Sequence, residues 1–221
     1  MPLSVQQVKQ TFGDFAYHDH ASLDGRVVIE GDWVARSIAL VEPPYPLRLP
    51  SGDPVRQIRC HYLIADQLLG SLVALRDEGL SYLVNTFDGC FVPRHMSWNP
   101  KRALSRHTWG IAVDVNARTF PYGSARKQDS RLVAIFRRFG FEAGQDWSTP
   151  DPMHFEAMQA MNLGTLVYKV MVDDVVVSDA GRVVGGEVVA PVAPVAKALG
   201  AQTIRFWPSH KKLYVYREKK P

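Results

Sequence analysis

Two short stretches of this sequence constrain it more than any other feature. One runs Ser105-Arg106-His107-Thr108-Trp109-Gly110-Ile111-Ala112-Val113-Asp114-Val115-Asn116; the other runs Trp147-Ser148-Thr149-Pro150-Asp151-Pro152-Met153-His154-Phe155-Glu156. In the first, Ile111, Val113 and Val115 alternate with Ala112, Asp114 and Asn116, the period of a β-strand. His107 then lies in the loop before that strand, and Gly110 lets the chain turn tightly between the two. Asp114 sits among apolar neighbours, so it is expected to be buried, and a buried carboxylate needs a strong partner. In the second stretch, His154 and Glu156 share one face of a short strand within Met153–Met158. Two imidazoles and one carboxylate make a three-ligand site for one zinc ion, with the fourth position left to water. Asp151, three residues before His154, is the candidate general base. Each half alone is a weak signal; it is the pair, each set on a strand beside a loop, that points to metal chemistry.

The rest of the chain frames this pair. Val27–Ile29 and Ile38–Val41 read as short strands, and Pro43-Pro44-Tyr45-Pro46 forces extended backbone. Ile58, Tyr62, Ala65, Leu68, Leu69, Leu72 and Leu75 recur at steps of three and four, which predicts a helix between Val55 and Gly79. Leu80–Phe87 reads as a strand, Phe87-Asp88-Gly89 as a turn, and Ser130–Phe139 as a second helix stopped by Gly140. Beyond about Thr165 valine becomes frequent. Val167–Val172, Val175–Val177 and Val188-Val189 read as strands, Val192–Leu199 as a short helix, and Thr203–Trp207 with Lys212–Tyr216 as a hairpin. A boundary near residue 165 divides a domain over 1–164, with its core at about 55–160, from a small domain over 165–221. The fold class expected is α+β: an antiparallel sheet with packed helices carrying the zinc site, plus a small C-terminal α+β module.

Composition narrows the function classes. Hydrophobic residues make up 46% and charged residues 22% of 221 residues, with net charge +4, which is ordinary for a globular chain. The basic tail Arg217 to Lys220 reads as a solvated end rather than a nucleic-acid arm. The two cysteines, Cys60 and Cys90, form no Cys-x-x-Cys pair and read as buried thiols. No segment has the roughly 20 apolar residues of a membrane span. Met1–Gly13 lacks the charged head and apolar run of an export signal. No Gly-x-Ser-x-Gly elbow or phosphate-binding glycine loop is present. His18-Asp19-His20 reads as a surface loop, His61 as a helix residue, and His95 as a neighbour of Arg94 with no assigned task.

The motif Ser105-x-His107-x-x-Gly110-x-Ala112-x-Asp114, followed by Asp151-x-x-His154-Phe155-Glu156, resembles the zinc D-Ala-D-Ala carboxypeptidase and L-alanyl-D-glutamate peptidase family, whose fold is shared with Hedgehog-type domains. Trp147 fits as well, and Gly89-Cys90-Phe91-Val92-Pro93-Arg94 resembles the arginine-bearing stretch those enzymes carry before the first ligand. The resemblance covers about residues 55–160. It implies that His107, Asp114 and His154 bind zinc, and that Asp151 moves the proton from water to the leaving amine. It implies a guanidinium, Arg94 with Arg102 and Arg106 as rivals, beside the scissile carbonyl or a substrate carboxylate. Ser105 is implied to contact substrate or orient His107, and Glu156 to support the ligands; for Glu156 a surface carboxylate is the other reading. Trp109 and Trp147 are read as cleft walls or as core.

Residues of about 168–217 resemble the small module named after the N-terminal domain of copper amine oxidases, on Ala180-Gly181-Arg182-Val183-Val184, Gly186, Pro191-Val192 and Val195 to Ala201. Wall anchoring and a stabilising cap are both open for it. The substrate implied is the stem peptide of peptidoglycan, with no nucleic-acid or membrane partner and a monomeric state. The Asp151 base, the Arg94 stretch and the missing export signal favour an L-alanyl-D-glutamate endopeptidase of the phage-endolysin type, released through a holin to act on the wall. The alternatives are a D-Ala-D-Ala carboxypeptidase and a non-catalytic, zinc-holding wall-binding module.

Overall fold

The computed structural model describes residues 2–161 and, beyond them, the strand segments 168–172, 175–184, 187–189, 203–207 and 212–216. By internal contacts the chain divides into Met1–Met161 and Asn162–Pro221.

The first unit opens with helix α1 (Val5–Phe12), started by a capping box in which Ser4 and Gln7 satisfy each other's backbone N–H groups. Strands β1 (Tyr17–Asp19) and β2 (Val27–Ile29) form an antiparallel hairpin, so His18-Asp19 belongs to an exposed strand, not a loop. Helix α2 (Trp33–Ser37) leads into β3 (Ile38–Val41), which pairs with β4 (Ile58–His61). The helix expected from Val55 therefore begins only at Ala65, as α3 (Ala65–Asp77). Ile58 fits the helical stripe, but it also alternates with Cys60 in the strand period, and pairing with β3 decides for the strand. His61, buried at the end of β4, bonds through Nε2 to the Phe12 carbonyl (3.0 Å) and caps the next turn.

The strand expected over Leu80–Phe87 is replaced by a 3₁₀ turn at Ser81–Leu83, and the expected turn Phe87-Asp88-Gly89 is itself a strand, β5 (Phe87–Gly89). The side chain of Asn116 explains this. Its Oδ1 accepts from the backbone N–H groups of Asn85 (2.7 Å) and Thr86 (3.1 Å), so those residues need no ladder partner. Then follow β6 (Ala112–Val115), α4 (Ser130–Arg138, N-capped by Asp129), β7 (Phe141–Ala143) and β8 (His154–Ala157).

Strands β5, β6, β8 and β7, in that order, form a four-stranded antiparallel sheet. Its central pair sets Val113 against Phe155 on one face, and Asp114 against His154 and Ala112 against Glu156 on the other. The first face is core: Phe155 stacks on Phe136 of α4 (4.4 Å between centroids), with Leu132, Phe141 and the α3 residues Leu68, Leu72 and Leu75 buried around it. Each such fully buried side chain contributes about 1.5–3 kcal/mol. The second face carries the polar groups. A one-residue slip would exchange the two faces, so core packing fixes where Asp114 and His154 point.

In the second unit, β9 (Tyr168–Val172), β10 (Val175–Val184) and β11 (Glu187–Val189) form an antiparallel sheet, and β12 (Thr203–Trp207) pairs with β13 (Lys212–Tyr216). The helix expected at Val192–Leu199, along with His210 and Arg217, lies outside the described residues. Both cysteines are free and buried.

Candidate active site

His107 sits in a 3₁₀ turn, Arg106–Trp109, that Ser105 caps by accepting from the His107 N–H (3.4 Å). Gly110 ends the turn in the left-handed region (φ 67°), and a methyl group there would press within 3.0 Å of the His61 backbone nitrogen. Only glycine meets both conditions, and it delivers the chain directly into β6. Asp114 then faces His154 across the β6–β8 ladder.

The three side chains converge. Asp114 Oδ2 lies 3.0 Å from His107 Nε2 and Oδ1 lies 2.9 Å from His154 Nδ1. Their donor atoms all fall within 4.8 Å of one another, and all three residues are buried. The far side of each ring is held as well. His107 Nδ1 is 2.9 Å from the Cys90 carbonyl oxygen, and His154 Nε2 is 3.3 Å from Glu156 Oε2. A carbonyl can only accept, so Nδ1 of His107 carries a proton, and Nε2 is the ring atom turned towards Asp114. Among the described residues that Nε2 has no hydrogen-bond partner. Burial opposes charge on Asp114, yet His107 and His154 overcome it and hold the carboxyl far below its usual range. Burial opposes charge on His154 too, and its hydrogen bonds to Asp114 and Glu156 outweigh it, pushing the imidazole up to about 10. The pocket thus keeps Asp114 ionised, with positive charge gathered around it. A nitrogen, nitrogen, carboxylate donor set with outer acceptors fixing both rings suits a divalent metal.

The other predicted residues divide into those beside this cluster and one that is not. Asp151 is half-buried, with one carboxylate oxygen lacking a partner among the described residues. Its backbone is fixed: its N–H donates to Gly144 (2.9 Å), and its carbonyl accepts from His154 (3.0 Å). A methyl group at Gly144 would come within 2.6 Å of the Asp151 carbonyl oxygen, so glycine is needed for this approach. Burial pushes the Asp151 carboxyl up, His154 draws it down, and Asp114 pushes it up again. Arg94 brings Nη2 to 4.0 Å from Asp114 Oδ2. Burial lowers its pKa while Asp114 and Asp151 support its charge. Of its rivals, Arg102 is exposed and bonded to Ser97, whereas Arg106 lies 3.7 Å from Glu156 and donates to the Leu3 carbonyl. Glu156 is 3% exposed, which excludes the surface reading. Trp147 donates to Glu142 and packs its ring 5.4 Å from His154. Trp109 does not wall the cleft. It is 1% exposed, packs against Phe15 and donates to the Gly13 carbonyl, as a core residue.

A cleft of about 890 Å³ opens over the cluster, lined among others by Arg94, Ser105, Trp147, Asp151, His154 and Glu156. Sequence reasoning missed several groups that build it: the Cys90 carbonyl, Gly144, and Thr108, whose hydroxyl bonds both the Arg94 N–H (3.0 Å) and the Arg94 carbonyl (2.8 Å). Thr108 sits inside the motif, but nothing in its spacing tells that it grips a residue 14 positions earlier.

Residues 98–157 match the family model described as D-alanyl-D-alanine carboxypeptidase. The matched segment holds His107, Asp114, Asp151, His154 and Glu156, and stops short of Arg94. No curated protein matches the chain, and no solved structure does. The donor set and the family match together support a metal-dependent peptidase.

Proposed function

We propose that this chain is a zinc peptidase that hydrolyses the stem peptides of peptidoglycan, cutting the L-alanyl-D-glutamate bond in the manner of an endolysin. One observation carries the catalytic reading: the half-buried Asp151, with one carboxylate oxygen lacking a partner among the described residues, stands beside a His107, Asp114, His154 cluster whose donor atoms could hold a metal ion. A pure binding module has no need of such a base. His107 Nε2, Asp114 and His154 Nδ1 would hold the ion. Zinc bound there supplies a Lewis acid and makes water nucleophilic at neutral pH. Asp151, its pKa raised by burial, accepts the proton of the attacking water and delivers it to the leaving amine. Arg94 presents a guanidinium already desolvated and directed at the cluster, where it stabilises negative charge developing on the scissile carbonyl. Glu156 and the Cys90 carbonyl keep both imidazoles in one tautomer and orientation.

The endopeptidase reading draws support from the size of the cleft, which accommodates several residues of a peptide rather than a terminal dipeptide alone. A D-Ala-D-Ala carboxypeptidase is the second reading, favoured by the description of the matching family and by Arg94, which could instead take a terminal carboxylate. Peptidoglycan is then the partner and the wall the place of action; among the described residues no helix is long and apolar enough to cross a membrane. Mass spectrometry of purified peptidoglycan after digestion, with and without a chelator, tests all of this. New amino-terminal D-glutamate supports the endopeptidase, loss of terminal D-alanine supports the carboxypeptidase, and unchanged products contradict both. Products that persist in chelator contradict the metal.

A further inference from the structure

Beside Arg94 lies a residue whose backbone is held against its own preference. Trp98 (φ 56°) and the preceding Ser97 (φ 54°) both adopt left-handed backbone, which side-chain-bearing residues rarely take. Such a conformation persists only where the surroundings over-determine it. Here several contacts do. The β1–β2 hairpin presents Gly25, itself left-handed (φ 68°), so tightly that a methyl group would overlap the Trp98 carbonyl. The Gly25 carbonyl accepts from the His95 N–H (2.7 Å), and Asp19 of β1 bonds His95 Nε2 (2.8 Å). His95 Nδ1 meets the Arg102 carbonyl (2.6 Å), and Arg102 donates to Ser97 Oγ (2.7 Å). His18-Asp19-His20, without a task in the sequence, thus contributes one arm of a brace.

The brace turns a large aromatic side chain outward. Trp98 is 44% exposed and lines the cleft. The guanidinium carbon of Arg94 stands 5.1 Å from its ring centroid, and that of Arg26 stands 5.6 Å away. An exposed tryptophan in a strained backbone gains nothing for the core. It gives Arg94 a flat, electron-rich surface to lie on. Arg94 has few other anchors for its head group: a long 3.4 Å bond to the His95 carbonyl and the 4.0 Å approach to Asp114.

We infer that Trp98 is a positioning residue of the active site, set by the β1–β2 hairpin to fix the direction in which Arg94 presents its guanidinium to substrate. The inference rests on the peptidase reading and adds to it the part of the molecule that organises the arginine side of the cleft. Held in place, Arg94 loses little freedom when substrate arrives.

A double-mutant cycle over Trp98→Ala and Arg94→Ala tests this, read as kcat/KM on a soluble stem peptide and as affinity for the same peptide with a phosphinate in place of the scissile amide. Metal content is measured for every variant. Expected are a loss of about tenfold or more for Trp98→Ala with Arg94 present, and less than about twofold with Arg94 already removed. Trp98→Phe should recover most of the loss, because it keeps an aromatic face, and metal content should not change. Equal losses in both backgrounds, or no recovery by phenylalanine, overturn the inference. If Trp98→Ala does not fold, the phosphinate affinity of Gly25→Ala decides. A loss that vanishes without Arg94 supports the brace, and one that persists overturns it. A wild type that binds metal but cleaves no stem peptide sinks the peptidase reading itself, a result distinct from an additive cycle in an active enzyme.

Discussion

The two banks of the cleft are built on different principles. The metal bank lies on the sheet: Asp114 and His154 oppose each other in the β6–β8 ladder, and the core face behind them, Val113 against Phe155, locks their register. The arginine bank is a loop. Arg94 is held by Thr108, its neighbour His95 by Asp19 and Gly25, and its guanidinium by Trp98. Ladder and core fix a direction collectively, and no single hydrogen bond decides it. A loop held by individual contacts depends on each of them. The metal bank should therefore fail outright only when a ligand is removed and lose affinity when a group orienting a ligand is changed, whereas changes on the arginine bank should leave the metal in place.

The largest effect tests that directly. Asp114→Ala should abolish metal binding and bring wall lysis to background, measured by metal analysis and by release of free amino groups. Retained metal would mean that the sheet does not define the site. Asp151→Ala comes next. Activity should fall by a factor of about 10² to 10⁴ while metal content stays at the wild-type level. Glu156→Gln should weaken metal affinity by about 10- to 100-fold, read in a chelator competition, because His154 loses the carboxylate that orients it. On the other bank, Thr108→Val removes two bonds to the Arg94 backbone and should cost about 1–3 kcal/mol of stability by denaturant titration. It should leave the metal in place.

A further effect concerns the frame behind both banks. His61 is buried, and desolvation lowers its pKa to about 4, with the Phe12 carbonyl pulling weakly the other way. The folded chain therefore prefers the neutral ring while the unfolded chain takes up a proton near its ordinary value of about 6.5. Stability from this group is full above about pH 6.5 and is lost as pH falls towards 4, by at most about 3 kcal/mol. His61→Gln should flatten that part of the stability profile in thermal melts at stepped pH; an unchanged slope would place the acid sensitivity elsewhere.

The same contrast explains what could be read from the sequence. The metal bank is written in local pattern. Alternation over Ile111–Asn116 gives the strand, and the α+β sheet with helices at Ser130–Arg138 and Ala65–Asp77 follows from periodicity. Glu156 is legible for the same reason, since it lies two residues from His154 on one face. The arginine bank is written in contacts between distant residues: Thr108 to Arg94, Asp19 to His95, Gly25 to Trp98. No period or spacing announces such pairs. Where fold reading erred, tertiary pairing had overruled local pattern. Ile58–His61 became a strand because β3 lies beside it, and Asn85-Thr86 left the ladder because Asn116 took their N–H groups. Trp109, inside the motif, looked like part of the cleft and instead anchors the Gly13 carbonyl in the core.

The central claim is that His107, Asp114 and His154 together hold a divalent ion. Anomalous diffraction from crystals grown with zinc, recorded above and below its absorption edge, tests it most directly. The account predicts one strong peak enclosed by His107 Nε2, the Asp114 carboxylate and His154 Nδ1, with Asp151 and Arg94 facing it. Zinc bound by other residues, or these three side chains turned away from one another around no peak, would contradict it.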